Sequence, residues 1–179
     1  MPAVAVPYSS YTRTAVSRLV RAGITTAVID GLFSTVLSVA FYDSTVTRLF
    51  QRVAATLLGD AAFTGGTRTA VIGVLMHCGV AFGWSAVFLL VVLRARWIRE
   101  LLAAPYGALR VAALYGPAIW LVMSLAVIPV LLHGPPVISI RWWVQLIGHF
   151  PFVGLPIVVS VTRGMSQAAR SPPRSVAAN

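Results

Sequence analysis

The apolar positions of this chain fall into four long runs separated by short polar segments. The least interrupted, Thr69–Leu93, reads TAVIGVLMHCGVAFGWSAVFLLVVL and carries no charged residue. At about 1.5 Å per residue, roughly 20 residues of helix cross a hydrocarbon layer of about 30 Å, so this run is long enough. Comparable runs extend from about Val20 to Tyr42, from about Val111 to Leu132 and from Trp142 to about Thr162. Between the first two, Val46, Leu49, Phe50, Val53 and Leu57 recur at helical spacing, with Arg48 and Arg52 on another face. That spacing predicts an amphipathic helix lying in the membrane interface. Gly59-Asp60 ends it, and Gly65-Gly66 turns the chain into the second run. The predicted fold is all-α: a four-transmembrane-helix bundle with an amphipathic interfacial helix between helices 1 and 2. Residues 1–19 read as a flexible cytoplasmic arm, 20–163 as the transmembrane domain and 164–179 as a disordered basic tail. A cleavable leader is the rival reading of the first run, because Ser38-Val39-Ala40 offers small residues at a cleavage-like spacing. The length of the run and the presence of Asp30 argue for a retained helix.

Polar residues inside the runs do not scatter. Gly23, Thr26, Asp30, Ser34 and Ser38 follow one another at three- or four-residue steps and therefore share one helical face. An aspartate at membrane depth costs roughly 2.5–3.5 kcal/mol on insertion scales, so that face should turn inward. In the second run, Gly73, His77, Ala81 and Trp84 share a face. Gly79 and Gly83 form a GxxxG on nearly the opposite side, which allows a close helix approach there. Gly116 and Pro129 in the third run, and Gly154 and Pro156 in the fourth, are the expected positions of tight packing and kinks. Trp142 and Trp143 fall where an aromatic belt meets the water interface. With the N-terminus inside, His77 and His149 both lie about eight residues, or roughly 12 Å, below the outer surface. Asp30 falls about one turn deeper. Asp30, Ser34, His77, Gln145 and His149 are therefore expected to meet in an intramembrane polar cluster, with Asp30 hydrogen-bonded to His77 or His149.

Composition sharpens the location. Of 179 residues, 58% are hydrophobic and 10% charged, and the mean hydropathy is +0.86. The net charge of +10 comes from fourteen arginines against four acids, with no lysine. In a soluble protein that balance points to nucleic acid. Here the arginines flank apolar runs without an aromatic-plus-basic platform, so the partner is the lipid bilayer and not nucleic acid. With the N-terminus inside, Arg48, Arg52, Arg68 and Arg141 face outward and the other ten of the fourteen face inward, satisfying the positive-inside bias. A multi-pass protein of a bacterial inner membrane with both termini cytoplasmic is expected. The single Cys78 excludes an internal disulfide and any CxxC motif.

No catalytic residue stands out: GxSxG, HExxH and paired carboxylates are absent, and Gly65-Gly66 lacks the GK[ST] of a phosphate loop. A non-enzymatic protein with no cofactor and no metal site is expected. Three roles remain open for the polar cluster. The first, and the one expected, is a satisfied polar knot in a structural or stress-related membrane protein. The second is a proton or small-cation site in a transport component. The third is bis-His ligation of a b-type haem by His77 and His149. Four spans are few for a monomeric carrier, so transport would require a homo-oligomer or a larger membrane complex.

The motifs TTAVIDG, LLGDAAFTGG, GVLMHCGVAFGW, LYGPAIWLVMSLAVIPV and GHFPFVGLPI occur in that order over about residues 20–163. This pattern resembles the small four-helix bacterial inner-membrane proteins, with the YagU-like proteins as nearest named relatives. The resemblance implies an α-helical integral membrane protein without an established biochemical activity. Asp30, His77 and His149 match polar positions of that pattern, as do Tyr115-Gly116, Met123, Pro129 and Gly154-Leu155-Pro156. The usual proline-leucine-serine after the third helix is replaced here by Pro129-Val130-Leu131, which removes a hydroxyl at that turn.

Overall fold

A computed structural model describes residues 8–163, with side chains from Thr14 onward, and shows helices and turns without a strand among the described residues. The 164–179 tail lies outside them. Four segments are long and apolar enough to cross a membrane: Thr14–Phe41, Gly66–Arg94, Gly107–Leu132 and Ile140–Thr162. The first belongs to α1 (Tyr8–Val36), which starts well inside the stretch expected to be a flexible arm. A short α2 (Val46–Leu58) follows, then α3 (Gly66–Arg94) and α4 (Arg96–Ala103). The third segment joins α5 (Gly107–Val122) to α6 (Ile128–Leu132), and the fourth joins α7 (Ile140–His149) to α8 (Leu155–Thr162).

The apolar side chains point largely outward. Only 11%, 22%, 28% and 50% of the most apolar windows of the four segments is buried within the chain. Leu75, Leu114 and Ile147 are 66%, 71% and 72% exposed. A water-soluble bundle places such residues on its inner stripe. The dry core occupies one end of the bundle. There Ala22 of α1, Phe88 and Val92 of α3, Val111 of α5 and Val158 and Val161 of α8 are buried together. These residues sit in the first part of the first and third apolar segments and toward the end of the second and fourth, as antiparallel alternation of the four segments requires.

Three of the four segments contain a π-helical turn, at Leu37–Phe41, Met123–Val127 and Phe150–Gly154. Proline explains the position of two. Pro129 lacks an N–H for the carbonyl four residues earlier, and just before it the Ile128 N–H bonds back five residues to Met123. Pro151 lies inside the third such turn, where the Leu155 N–H bonds back to Phe150. Each turn adds a residue to the helical circuit and redirects the side chains around it.

Close packing is carried by glycines, but not by all those expected. A Cβ on Gly116 would strike the His149 carbonyl oxygen, and one on Gly154 would strike the Ala112 carbonyl oxygen and lie 2.8 Å from the Gly116 nitrogen. The third and fourth segments thus meet backbone to backbone. Pro156 is buried in α8, whereas the turn of helix bearing Pro129 has no buried residue. Gly79 and Gly83 behave differently: they face outward, with nothing within 4 Å of an added Cβ. The GxxxG pair therefore makes no helix approach within the chain, because the opposite face of α3 carries the internal packing.

The amphipathic helix α2 exists at the expected place, and its N-cap Thr45 side chain accepts from the Arg48 N–H at 3.1 Å. It is laid against α3: Gly73 leaves room for the Phe50 backbone, and Gln51 Nε2 donates to the Gly66 carbonyl at 3.1 Å. Gln51 is buried, while Arg48 and Arg52 remain exposed. A Gly116→Ala substitution should lower the stability of the detergent-solubilised protein by about 1–3 kcal/mol, because backbone atoms cannot move aside. Gly79→Ala should leave it unchanged or slightly higher. Thermal unfolding of the two variants side by side checks the contrast.

Candidate functional site

Three helices turn polar residues toward one another beside the apolar core. Thr26, Asp30 and Ser34 come from α1 at successive four-residue steps, and His77 from α3. Gln145 and His149 come from α7. They line a cavity of ≈ 230 Å³ whose remaining wall is apolar and aromatic, including Trp84, Trp120, Met123 and Val153. Leu49 and Val53 of α2 also line it. The apolar face of the amphipathic helix is thus used as part of a cavity wall.

His77 is held from two sides. Its Nε2 lies 3.0 Å from the Ala27 carbonyl oxygen, and the absence of a side chain at Gly31 leaves it room. A carbonyl only accepts, so Nε2 carries the proton, and Nδ1 is the nitrogen left to face Asp30. The separation from Nδ1 to Asp30 Oδ2 is 3.9 Å. That is an ion-pair distance, beyond the range of a hydrogen bond. The direct bond expected from sequence is not made.

His149 is set the opposite way. Its Nδ1 lies 2.7 Å from the Gln145 carbonyl oxygen one turn earlier, so Nδ1 carries the proton and Nε2 is free. Its ring packs on Trp120 with centroids 4.8 Å apart. Asp30 is near enough to interact electrostatically with both imidazoles. All five residues expected to cluster, Asp30, Ser34, His77, Gln145 and His149, line the one cavity.

Hydrogen bonding in the cavity is incomplete. Asp30 Oδ1, Thr26 Oγ1, Gln145 Oε1 and Trp120 Nε1 are buried without a partner. Thr26 is only 1% exposed. A polar atom buried in this way costs about 1–3 kcal/mol unless something in the cavity satisfies it. At the same time the Asp30 and His77 side chains each retain 17% accessibility, so the polar cluster is not sealed off.

No motif marks Trp120, and Thr26 stands out only as a member of the α1 stripe. The signal for Trp120 lies in its place one turn after Gly116, on the helix face that meets α7. Trp142 departs from expectation. Instead of standing at a water interface it is 8% exposed, donates from Nε1 to Ser124 Oγ at 2.9 Å and packs near Trp120. The π-helical turn at Met123–Val127 contains that serine. Trp143, next to it, is 52% exposed.

Among the described residues no group of three or more His, Cys, Asp or Glu is arranged to hold a metal ion. The haem reading fits poorly for a different reason. The cavity of ≈ 230 Å³ is smaller than the roughly 300–1,000 Å³ of pockets that take drug-sized molecules, and haem is larger still. Comparisons with protein-family models, curated proteins and solved structures find no match.

In their neutral forms the two histidines should be opposite tautomers, with the proton on Nε2 of His77 and on Nδ1 of His149. Nitrogen-15 NMR of histidine-labelled protein, with His77→Gln and His149→Gln used for assignment, should resolve one of each. Two identical tautomers would show that the carbonyl contacts do not set the ring protons.

Proposed function

We propose that this chain is an integral membrane protein whose function is to bind and pass protons or small cations at the Asp30–His77–His149 cavity. One observation carries the reading: titratable groups from three helices line a cavity in which four buried polar atoms have no partner. A purely structural knot calls for the opposite, since a polar network strengthens a bundle when its members are satisfied. Titratable side chains at membrane depth that face an accessible cavity are the usual components of proton and ion pathways.

Membrane insertion is supported by the outward-facing apolar side chains of the four long segments. The orientation we propose, with both termini in the cytoplasm of a bacterial cell, rests on the arginine distribution. The α2 helix would then lie on the outer side, its arginines toward the headgroups and its apolar face toward the bundle. Single cysteines placed within residues 60–67 and 100–108, in a Cys78→Ala background, should be labelled by an impermeant reagent from opposite sides. Labelling of both from one side would rule out the orientation.

The transport reading is tested in vesicles containing the purified protein and an internal pH dye. An imposed potential should drive proton uptake faster than in protein-free vesicles. Asp30→Asn keeps the shape of the carboxyl without its titration and should return the rate to the background leak. His77→Gln should slow it, and Asp60→Asn, on an exposed connection, should not change it. Equal flux from native protein and Asp30→Asn would defeat the proposal.

A further inference from the structure

We propose that the cavity accepts a small organic ammonium ion with an apolar body, such as a protonated primary amine. This inference rests on reading the cavity as a proton- or cation-handling site and specifies the chemistry of its guest. The lining is rich in acceptors. Asp30 Oδ1 and Gln145 Oε1 are acceptors buried without partners, the equally unpartnered Thr26 hydroxyl can accept as well as donate, and Trp120 Nε1 is the unpaired group of the lining that only donates. The carbonyl contacts of the imidazoles add two more acceptors, because they leave His77 Nδ1 and His149 Nε2 without a proton in the neutral rings. A guest that satisfies such a wall brings several N–H donors and a positive charge.

The rest of the wall decides against a bare or hydrated inorganic ion. Val80, Ile119, Met123, Ile128, Val153 and Ile157 offer it no oxygen, and most of the cavity is made of residues of this kind. An apolar hydrocarbon portion gains by occupying that space. Trp84 and Trp120 also line the cavity, and an aromatic wall attracts an organic cation. Size agrees: an apolar cavity of about 150 Å³ holds benzene, so ≈ 230 Å³ admits a ring or short chain with an ammonium group. The geometry therefore assigns the ammonium end to the Asp30, Thr26 and Gln145 side and the apolar body to the opposite wall.

Calorimetric titration of the full chain in detergent at pH 7 with benzylammonium, and in parallel with benzyl alcohol and sodium chloride, tests this. Benzylammonium should bind saturably, and benzyl alcohol about tenfold more weakly or less, as the loss of a buried charge-assisted bond requires. Asp30→Asn should abolish the preference for the ammonium. Thr26→Val should weaken it severalfold, which keeps the question answerable if Asp30→Asn proves unstable by circular dichroism and gel filtration. Asp60→Asn should bind as the native chain does. Equal binding of alcohol and ammonium, or a preference that survives Asp30→Asn, would reduce the cavity to an apolar hole and overturn the assignment. Sodium binding with no benzylammonium binding would overturn it in favour of an inorganic ion. Absence of amine binding alongside Asp30-dependent proton flux would remove the amine and leave the proton reading standing. Amine binding without Asp30-dependent flux would uphold the assignment and remove transport.

Discussion

A carboxyl group carried halfway along an apolar helix is the constraint on which the arrangement of this bundle turns. An ionisable side chain on an apolar helix is costly to leave among apolar surroundings, and α1 turns its Thr26–Asp30–Ser34 stripe inward to the cavity. That rotation fixes what the other helices must supply. α3 answers with His77, held by the Ala27 carbonyl in the space left at Gly31, with Nδ1 3.9 Å from the carboxylate oxygen. The fourth segment answers with His149, whose backbone sits against Gly116 and whose ring is held by the carbonyl of Gln145. Each imidazole spends one nitrogen on a backbone carbonyl of a helix and keeps the other free. The fixed nitrogen positions the ring, and the free one is available for chemistry.

The bundle sets an apolar core beside a polar cavity. Apolar packing is concentrated where Phe88, Val92, Val158 and Val161 are buried together, and Gly116 and Gly154 bring the third and fourth segments backbone to backbone beside His149. At the cavity, Asp30 Oδ1, Thr26 Oγ1, Gln145 Oε1 and Trp120 Nε1 are left without partners. Two of the three π-helical turns, at Met123–Val127 and Phe150–Gly154, supply cavity residues in Met123 and Val153. Regular α-helices meeting at glycine contacts would continue to close on one another along their length. A helix with an extra residue in one turn displaces its neighbours' side chains and leaves space. Proline makes these turns easy, since it removes an N–H that the regular ladder would have used.

Much of this was legible from residue spacing. Four apolar runs of membrane-crossing length stand out because nothing but helix length and side-chain polarity is involved. The inward stripe on α1 and the His77–Ala81–Trp84 face of α3 follow from the 3.6-residue repeat alone. The matching depth of His77 and His149, with Asp30 about one turn deeper, follows from counting residues along antiparallel helices. These are properties of single helices, and a sequence contains them in full.

What needed the tertiary structure is whatever depends on how helices are rotated against one another and on where their backbones touch. Helical repeat marked Gly79 and Gly83 as a packing face, yet α3 uses its other side at Gly73, while Gly116 and Gly154 do make the close contacts expected of them. Trp142 reads as an interface residue from its position, but a π-helical turn presents Ser124 to its indole and draws it inside. Trp120 carries no mark of its own in the sequence and becomes a cavity residue only because α5 meets α7 there. The amphipathic pattern of α2 specifies an apolar face without saying what covers it, and the fold sets part of that face along the cavity. Periodicity records which residues share a side of a helix. Which side meets a neighbour is settled by the sum of many weak contacts between distant parts of the chain, and no local pattern contains that sum.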